Sequence, residues 1–196
     1  LSDQFNLSIT FGKNVWIGYD TTIGNNATIG NNATIGNNAT IGNTATIGYD
    51  TTIGNYASIG NYASIRNNAT IGNYASIGNN ATIGYDTTIG YDTTIGYDTT
   101  IGSYVTIGNH VTIGNHAIHF ITILNIYRYT ASCTIDKDLN VFIQLGCFYR
   151  PLIDWENDFW NNDEEFPNDK SEKSNNRILA FNILKSWAEI KIKTLK

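Results

Sequence analysis

A period of six residues governs more than half of this chain and excludes most folds before any other feature is weighed. From Phe11 to Ile118 the sequence reads as 18 consecutive hexads; every hexad that starts between residues 17 and 113 begins with Ile, and Gly follows in all of these but one, where Arg66 stands instead. Ile23-Gly24-Asn25-Asn26-Ala27-Thr28 is a typical unit. Apolar residues at i, i+6 and i+12 rotate around a helix of about 3.6 residues per turn and never form one stripe, so the repeat is not helical. It fits short strands joined by sharp corners. The Ile and the small residue two positions before it share one face of a strand and point inward, and the Thr or Ser between them points out.

The two residues after each Gly are left to turn the corner. They read Asn-Asn, Asn-Tyr, Tyr-Asp or Asn-His, and Asn and Asp enter the left-handed backbone region more readily than other non-glycine residues because a short polar side chain can bond locally. Turn chemistry therefore recurs every six residues. Stacking supplies the stability, since a fully buried Ile contributes about 1.5–3 kcal/mol before chain entropy is subtracted, and a single coil could not bury its own residues.

This pattern resembles the hexapeptide-repeat family of left-handed parallel β-helices, whose motif is an aliphatic residue, Gly, two variable residues, a small residue and one more. The resemblance implies a left-handed, three-sided solenoid in which three hexads close each triangular coil. The repeat residues then make about six coils, and with strands about 4.8 Å apart the rod is roughly 29 Å long. The expected organisation is an N-terminal cap over residues 1–10, a left-handed β-helix over 11–118 and an α+β cap over 119–196. In the first segment Phe5, Ile9, Phe11, Val15 and Trp16 bring bulk into or beside the register.

At the far end the register fails, because His119 falls where Ile is due and Ile121 and Ile123 resume a period of two. Two strands are predicted, Ile126 to Ile135 and Val141 to Tyr149, around the turn-like Asp136-Lys137-Asp138-Leu139-Asn140. Pro151 opens a predicted helix through Asn161 carrying Leu152, Trp155 and Phe159. A polar acidic loop, 162–172, precedes a last helix over Ser174 to Lys193 with Ile178, Phe181, Leu184, Trp187 and Ile190 toward one side. The segment Phe142-Ile143-Gln144-Leu145-Gly146-Cys147-Phe148 and the acidic, aromatic helix after it look like a C-terminal module of bacterial and phage hexapeptide-repeat proteins. That likeness implies a bacterial or phage setting, cytoplasmic or virion-associated, and no reaction.

Charge and cysteine content narrow the function. A net charge of -5 and a pI near 5.0, with Lys and Arg sparse in the repeats, argue against nucleic acid as a partner. No run of 18 apolar residues exists, and the first ten residues lack the basic start and apolar stretch of a signal peptide. The absence of Met is what a trimmed chain would show. Cys133 and Cys147 are too few for a disulfide framework and read as free buried thiols.

Enzymes that share the resemblance include acyltransferases and γ-class carbonic anhydrases, in which trimers bring a catalytic or metal-binding His to the cleft between rods, often beside a loop that breaks the repeats. This chain has only His110, His116 and His119, with no loop interrupting the hexads. His110 and His116, one hexad apart, fall at different corners and do not stack, unlike the three converging histidines of a carbonic anhydrase. Asp20, Asp50, Asp86, Asp92 and Asp98 occur only in Tyr-Asp-Thr-Thr units and read as corner formers, not paired acids.

Two surface arrays stand out. Thr22, Thr28, Thr34, Thr40, Thr46, Thr88, Thr94 and Thr100 form outward ranks that are similar to the threonine arrays of antifreeze β-solenoids, although Ser58, Ser64 and Ser76 interrupt them and β-propensity alone accounts for exposed Thr. The corner aromatics Tyr49, Tyr56, Tyr62, Tyr74, Tyr85, Tyr91 and Tyr97 offer a partner rod, a glycan or a protein surface a place to bind, or stack on one another. The expectation drawn is a non-catalytic scaffold or surface-binding protein, self-associating as a homo-oligomer such as a trimer, with no cofactor, no metal and no membrane span. The alternatives are an acyltransferase of the family working through His110 and His116, and an ice-binding protein working through its threonines.

Overall fold

The computed structural model describes residues 8–123, 130–158 and 169–195. Phe5, the first part of the predicted 126–135 strand, Phe159 and most of the acidic loop lie outside these residues.

Between Thr10 and Ile113 the chain forms 18 two-residue strands, one per hexad. They sort into three parallel sheets of six strands, and each strand pairs with the one three hexads away. Thr34 is thus in register with Trp16 and Thr52, and Ile35 with Ile17 and Ile53. This is the six-coil solenoid expected from the repeat. The inward set is also as expected: Ile and Ala of successive coils, from Ala27 to Ala117, form one continuous core. Thr10–Phe11 and Trp16–Ile17 belong to the first coil, where Phe11 and Trp16 remain exposed and Val15 packs against the core.

Where a Tyr-Asp-Thr-Thr unit places Thr at the inward small position, the hydroxyl is satisfied by the corner above. Thr93 is fully buried, and its Oγ1 donates to the Gly108 carbonyl at 2.8 Å; Thr87 and Thr99 do the same to Gly102 and Gly114, each at 2.9 Å. All 18 corners turn through one non-glycine residue with φ between 51° and 61°. In the inner coils the Gly is favoured by coil stacking, since a Cβ on Gly36 would stand 2.6 Å from Asn55 N and from Gly54 C, whereas Gly102 in the last coil has room for one. At Arg66 the guanidinium extends over the Tyr85 ring, 5.9 Å from its centroid, a cation–π distance.

Beyond the last coil the architecture changes. Ala117–Ile123, Ala131–Asp136, Val141–Leu145 and Phe148–Pro151 make a four-stranded antiparallel sheet, followed by α1 (Leu152–Asp158) and α2 (Glu172–Leu195). The predicted strand from 141 to 149 is broken in two because Gly146 takes φ 65° and opens a two-residue hairpin with Cys147. The Asp136 turn forms as predicted, its Oδ1 accepting from Asp138 N at 2.9 Å and Asn140 N at 2.8 Å. Trp155 is buried and donates from Nε1 to the Ile143 carbonyl at 2.8 Å, fixing α1 to the sheet.

On α2 the buried stripe is Ser174, Arg177, Ala180, Phe181, Leu184 and Ala188. It is rotated from the predicted one, and Ile190 faces solvent at 64% exposure, because Ala180 and Ala188 let the helix approach the sheet closely. Both cysteines are free; Cys133 is buried, but Cys147, on the hairpin, is exposed, contrary to the expectation for the pair. Burial pushes the Cys133 thiol up to about 12.

Candidate functional site

The corners of the last coil gather the chain's polar chemistry. One coil is 18 residues, so the residue above Asp92 in its corner is His110 and the residue above Asp98 is His116. The His110 Nδ1 lies 3.2 Å from Asp92 Oδ2, and the His116 Nδ1 lies 3.7 Å from Asp98 Oδ2. An ionised carboxylate only accepts, so Nδ1 is the donor in this contact, and in a neutral imidazole so placed the lone pair lies on Nε2. Each imidazole also meets a tyrosine edge-on: Tyr91 with His110 at 5.4 Å and Tyr97 with His116 at 4.7 Å between centroids. The aspartates read from sequence as corner formers do hold left-handed corners, with φ 51° at Asp92 and 52° at Asp98. They are histidine partners as well, a role the sequence reading missed; its signal was the shared separation of one coil.

The two corners differ in exposure. The His110 and Asp92 side chains are 59% and 60% exposed, whereas those of His116 and Asp98 are 31% and 41% exposed. His119 is half-buried in the strand Ala117–Ile123, opposite Ile135. Among the described residues no three metal-ligating side chains converge, so each corner offers one imidazole and one carboxylate.

The C-terminal sheet grips both corners through their backbone. Gln144 on Val141–Leu145 is 3% exposed, and its carboxamide makes four hydrogen bonds. Its Oε1 accepts from Thr112 N at 2.7 Å and Ser132 Oγ at 3.2 Å, while Nε2 donates to the His110 carbonyl at 2.8 Å and the Gly146 carbonyl at 2.9 Å. Its Oε1 takes the place of the carbonyl that a further coil would have offered to Thr112 N, as the Val111 carbonyl does for Thr94 N. Thr130 Oγ1 adds a bond to the Asn109 carbonyl at 3.0 Å, and Lys137 N donates to the His116 carbonyl at 3.0 Å. Tyr149 lays its hydroxyl against Gly114, where any Cβ would collide with it, and burial pushes that phenol up to about 12.

The other sequence-predicted residues scatter. Thr28, Thr46 and Thr100 lie on one face, Thr34 and Thr88 on the second, and Thr22, Thr40 and Thr94 on the third. No single plane collects them; the one rank free of Ser runs Thr34, Thr52, Thr70, Thr88, Thr106. Tyr49 and Tyr85 share one corner, Tyr56, Tyr74 and Tyr91 the second, and Tyr62 and Tyr97 the third.

The family model that matches is the bacterial transferase hexapeptide (six repeats), over residues 8–49 and 50–85. Among solved structures, a mutant of perosamine N-acetyltransferase from Caulobacter crescentus, in complex with CoA and GDP-perosamine, is similar at 18% identity and a TM-score of 0.50; the match covers 54% of this chain and 51% of that one. An N-acyltransferase from Bacillus cereus, in complex with dTDP and coenzyme A, is 20% identical with a TM-score of 0.42, over 54% and 70% of the two chains. UDP-N-acetylglucosamine acyltransferase from Campylobacter jejuni is 22% identical with a TM-score of 0.32, over 56% and 64%. The match thus spans about half the length of the perosamine enzyme. No curated protein matches the chain. The matching family model is a transferase one, which corrects the expectation of a non-catalytic scaffold, and His110 and His116 each lie against an aspartate.

Proposed function

We propose, from the premise that this chain belongs to the hexapeptide-repeat left-handed β-helix family, that it is an acyltransferase moving an acyl group from a coenzyme A thioester to an amine or hydroxyl acceptor, with His110 as general base. The observation that carries the reading is the 3.2 Å contact between His110 Nδ1 and Asp92 Oδ2. It favours, in the neutral ring, the tautomer whose Nε2 can take a proton, and Nε2 belongs to a side chain open to solvent.

The chemistry follows from that geometry. The acceptor's nitrogen or oxygen attacks the thioester carbonyl carbon, and its proton passes to His110 Nε2. Asp92 stabilises the imidazolium that forms, as a carboxylate does for a base histidine in acyl transfer. Collapse breaks the C–S bond, and the proton held on Nε2 goes to the departing thiolate, so the products are the acylated acceptor and free coenzyme A thiol. His116 is the lesser candidate, since its carboxylate contact is longer and its ring more enclosed.

Self-association of rods accords with the family, and a trimer is the assembly we favour. The test is thiol release from acetyl coenzyme A in the presence of a panel of amino-sugar and hydroxyl acceptors, with His110→Ala, His116→Ala and Asp92→Asn variants. His110→Ala should lose at least 100-fold in rate, the lower range for removal of a general base, and His116→Ala should keep it. An undiminished rate in His110→Ala, or no thiol release with any acceptor, rejects the assignment.

A further inference from the structure

His110 occupies a left-handed corner, with φ 58°, and the backbone on both sides of it is held. Its N–H donates to the Tyr91 carbonyl at 2.9 Å, the bond that Tyr74 and Asp92 make to Asn55 and Asn73 in the coils below. The carbonyl before it, on Asn109, accepts from Thr130 Oγ1 at 3.0 Å, and its own carbonyl accepts from Gln144 Nε2 at 2.8 Å. These two donors are joined through the hairpin: Gly146 N donates to the Thr130 carbonyl at 2.7 Å, and the Gly146 carbonyl accepts the other N–H of Gln144 at 2.9 Å.

Coil stacking alone does not call for this. At the same corner of the coils below, the Tyr74 and Asp92 carbonyls stand where the His110 carbonyl stands, and among the described residues they accept no hydrogen bond. The Gln144 bond to His110 is therefore an addition to the pattern of the repeat, whereas Thr130 takes the place of the N–H that another coil would have brought to Asn109. The other corners of the last coil are held less. Among the described residues the Ser103 and Tyr104 carbonyls accept nothing, and at the His116 corner only the His116 carbonyl is held, by Lys137 N at 3.0 Å. The corner pinned on both carbonyls is the one whose imidazole makes the shorter carboxylate contact, 3.2 Å against 3.7 Å.

We infer that Thr130 and Gln144 are positioning residues for His110, which direct its Nδ1 onto Asp92 by fixing the peptide units on either side. Each peptide unit is planar, so holding the two carbonyls holds φ and ψ of the residue between them and, with these, the direction of its side chain. An imidazole that is 59% exposed has little packing to orient it, and its backbone must supply the aim that a buried site takes from packed neighbours. Neither residue touches the ring. The consequence for rate rests on the proposed acyl transfer with His110 as base; the orientation of the ring does not.

The experiment compares Thr130→Val, which removes the hydroxyl and keeps the carbonyl that Gly146 N needs, with Thr130→Ser, which restores a hydroxyl. Thr194→Val, which removes another hydroxyl-to-carbonyl bond at the end of α2, is the control. Thr130 is half-buried, so each variant should fold, as checked by thermal melts. In ¹⁵N-histidine NMR of the full chain, Thr130→Val should shift neutral His110 away from Nδ1–H, and Gln144→Leu should shift it at least as far. The His116 signals should stay in place, and Thr130→Ser and Thr194→Val should match wild type. In the thiol-release assay Thr130→Val should lower kcat about 10-fold with KM for acetyl coenzyme A unchanged, less than the roughly 100-fold that a displacement of about 1 Å can cost. An unmoved His110 balance in Thr130→Val, an equal shift at His116, or a Thr130→Ser variant that behaves like Val overturns the inference. The NMR comparison needs no substrate, so a wild type that releases no thiol rejects the acyltransferase reading while the positioning is still decided by the spectra.

Discussion

Replacing Gln144 by Leu removes four hydrogen bonds while keeping most of the side-chain volume, and its effect can be estimated bond by bond. Of the partners, Ser132 Oγ is buried, Thr112 N and the Gly146 carbonyl are half-buried, and the His110 carbonyl lies at an exposed corner. A carbonyl with two lone pairs tolerates loss of one donor better than an N–H or O–H tolerates loss of its acceptor, so the His110 and Gly146 carbonyls add less. A donor left unsatisfied away from water costs about 1–3 kcal/mol, and Ser132 and Thr112 are the two groups at risk. The sum is about 2–6 kcal/mol, and rotation of Ser132 to another acceptor brings it to about 2–4 kcal/mol. Because the rod is a stack of repeats, the loss should concentrate at its C-terminal end. Hydrogen exchange followed by mass spectrometry is the assay: peptides spanning 107–118 and 141–149 should exchange about 30- to 1000-fold faster, the same free energy expressed as a ratio, while peptides from 29–83 should not change. Gln144→Glu, which keeps one acceptor oxygen but turns a second, ionised one toward the His110 and Gly146 carbonyls, should accelerate exchange at least as much as Leu. Uniform acceleration along the whole rod, or none at 107–118, would refute the view that this carboxamide closes the solenoid.

Other outcomes follow from the same structure. Ile71→Ala, in the middle of the core at 1% exposure, should destabilise the rod by about 2–5 kcal/mol, measured by urea denaturation, whereas Thr93→Ala, which recreates the common unit, should cost no more than about 1.5 kcal/mol for one hydrogen bond. Iodoacetamide at pH 8 should modify exposed Cys147 and spare Cys133, whose thiol is buried and raised to about 12, until denaturant is added; equal labelling in the native state would contradict the packing of the C-terminal sheet. At the start of α2, hydrogen bonds from Ser171 hold the Asp169 carboxyl below its usual range. A carboxyl depressed on folding stabilises the fold above its unfolded pKa and loses that contribution as pH falls through its folded pKa, so wild type should lose more stability than Asp169→Asn across the acid carboxylate range, as read by thermal melts.

How far the sequence alone carried depends on whether a feature repeats. Ile at one position and Ala or Thr four residues later declare the strand, the inward face and the corner within a single unit, and 17 copies beginning with Ile repeat the statement. The His110–Asp92 pair was hidden because neither residue is unusual locally; only the length of a closed coil, 18 residues, brings them together. Gln144 carried no signal at all, since Thr112 and His110 lie 32 and 34 residues back on the solenoid, and only Ser132 and Gly146 belong to its own sheet and hairpin. The hairpin at Gly146-Cys147 was legible in principle, because Gly at the first turn position suits a two-residue hairpin, but the apolar run on both sides read as one strand. On α2, two plausible apolar stripes exist, and the choice was made by Ala180 and Ala188, whose small size decides the packing only once the sheet is in place.

The most direct measurement is the protonation state of the imidazole nitrogens of His110. The chain holds three histidines, so selective ¹⁵N-histidine labelling, with His116→Ala and His119→Ala variants for assignment, resolves each ring by NMR. Neutral His110 should carry its proton on Nδ1 with Nε2 bare, and Asp92→Asn should shift this balance toward Nε2–H. A neutral His110 already protonated on Nε2 in the wild-type protein, or one indifferent to Asp92, would contradict it.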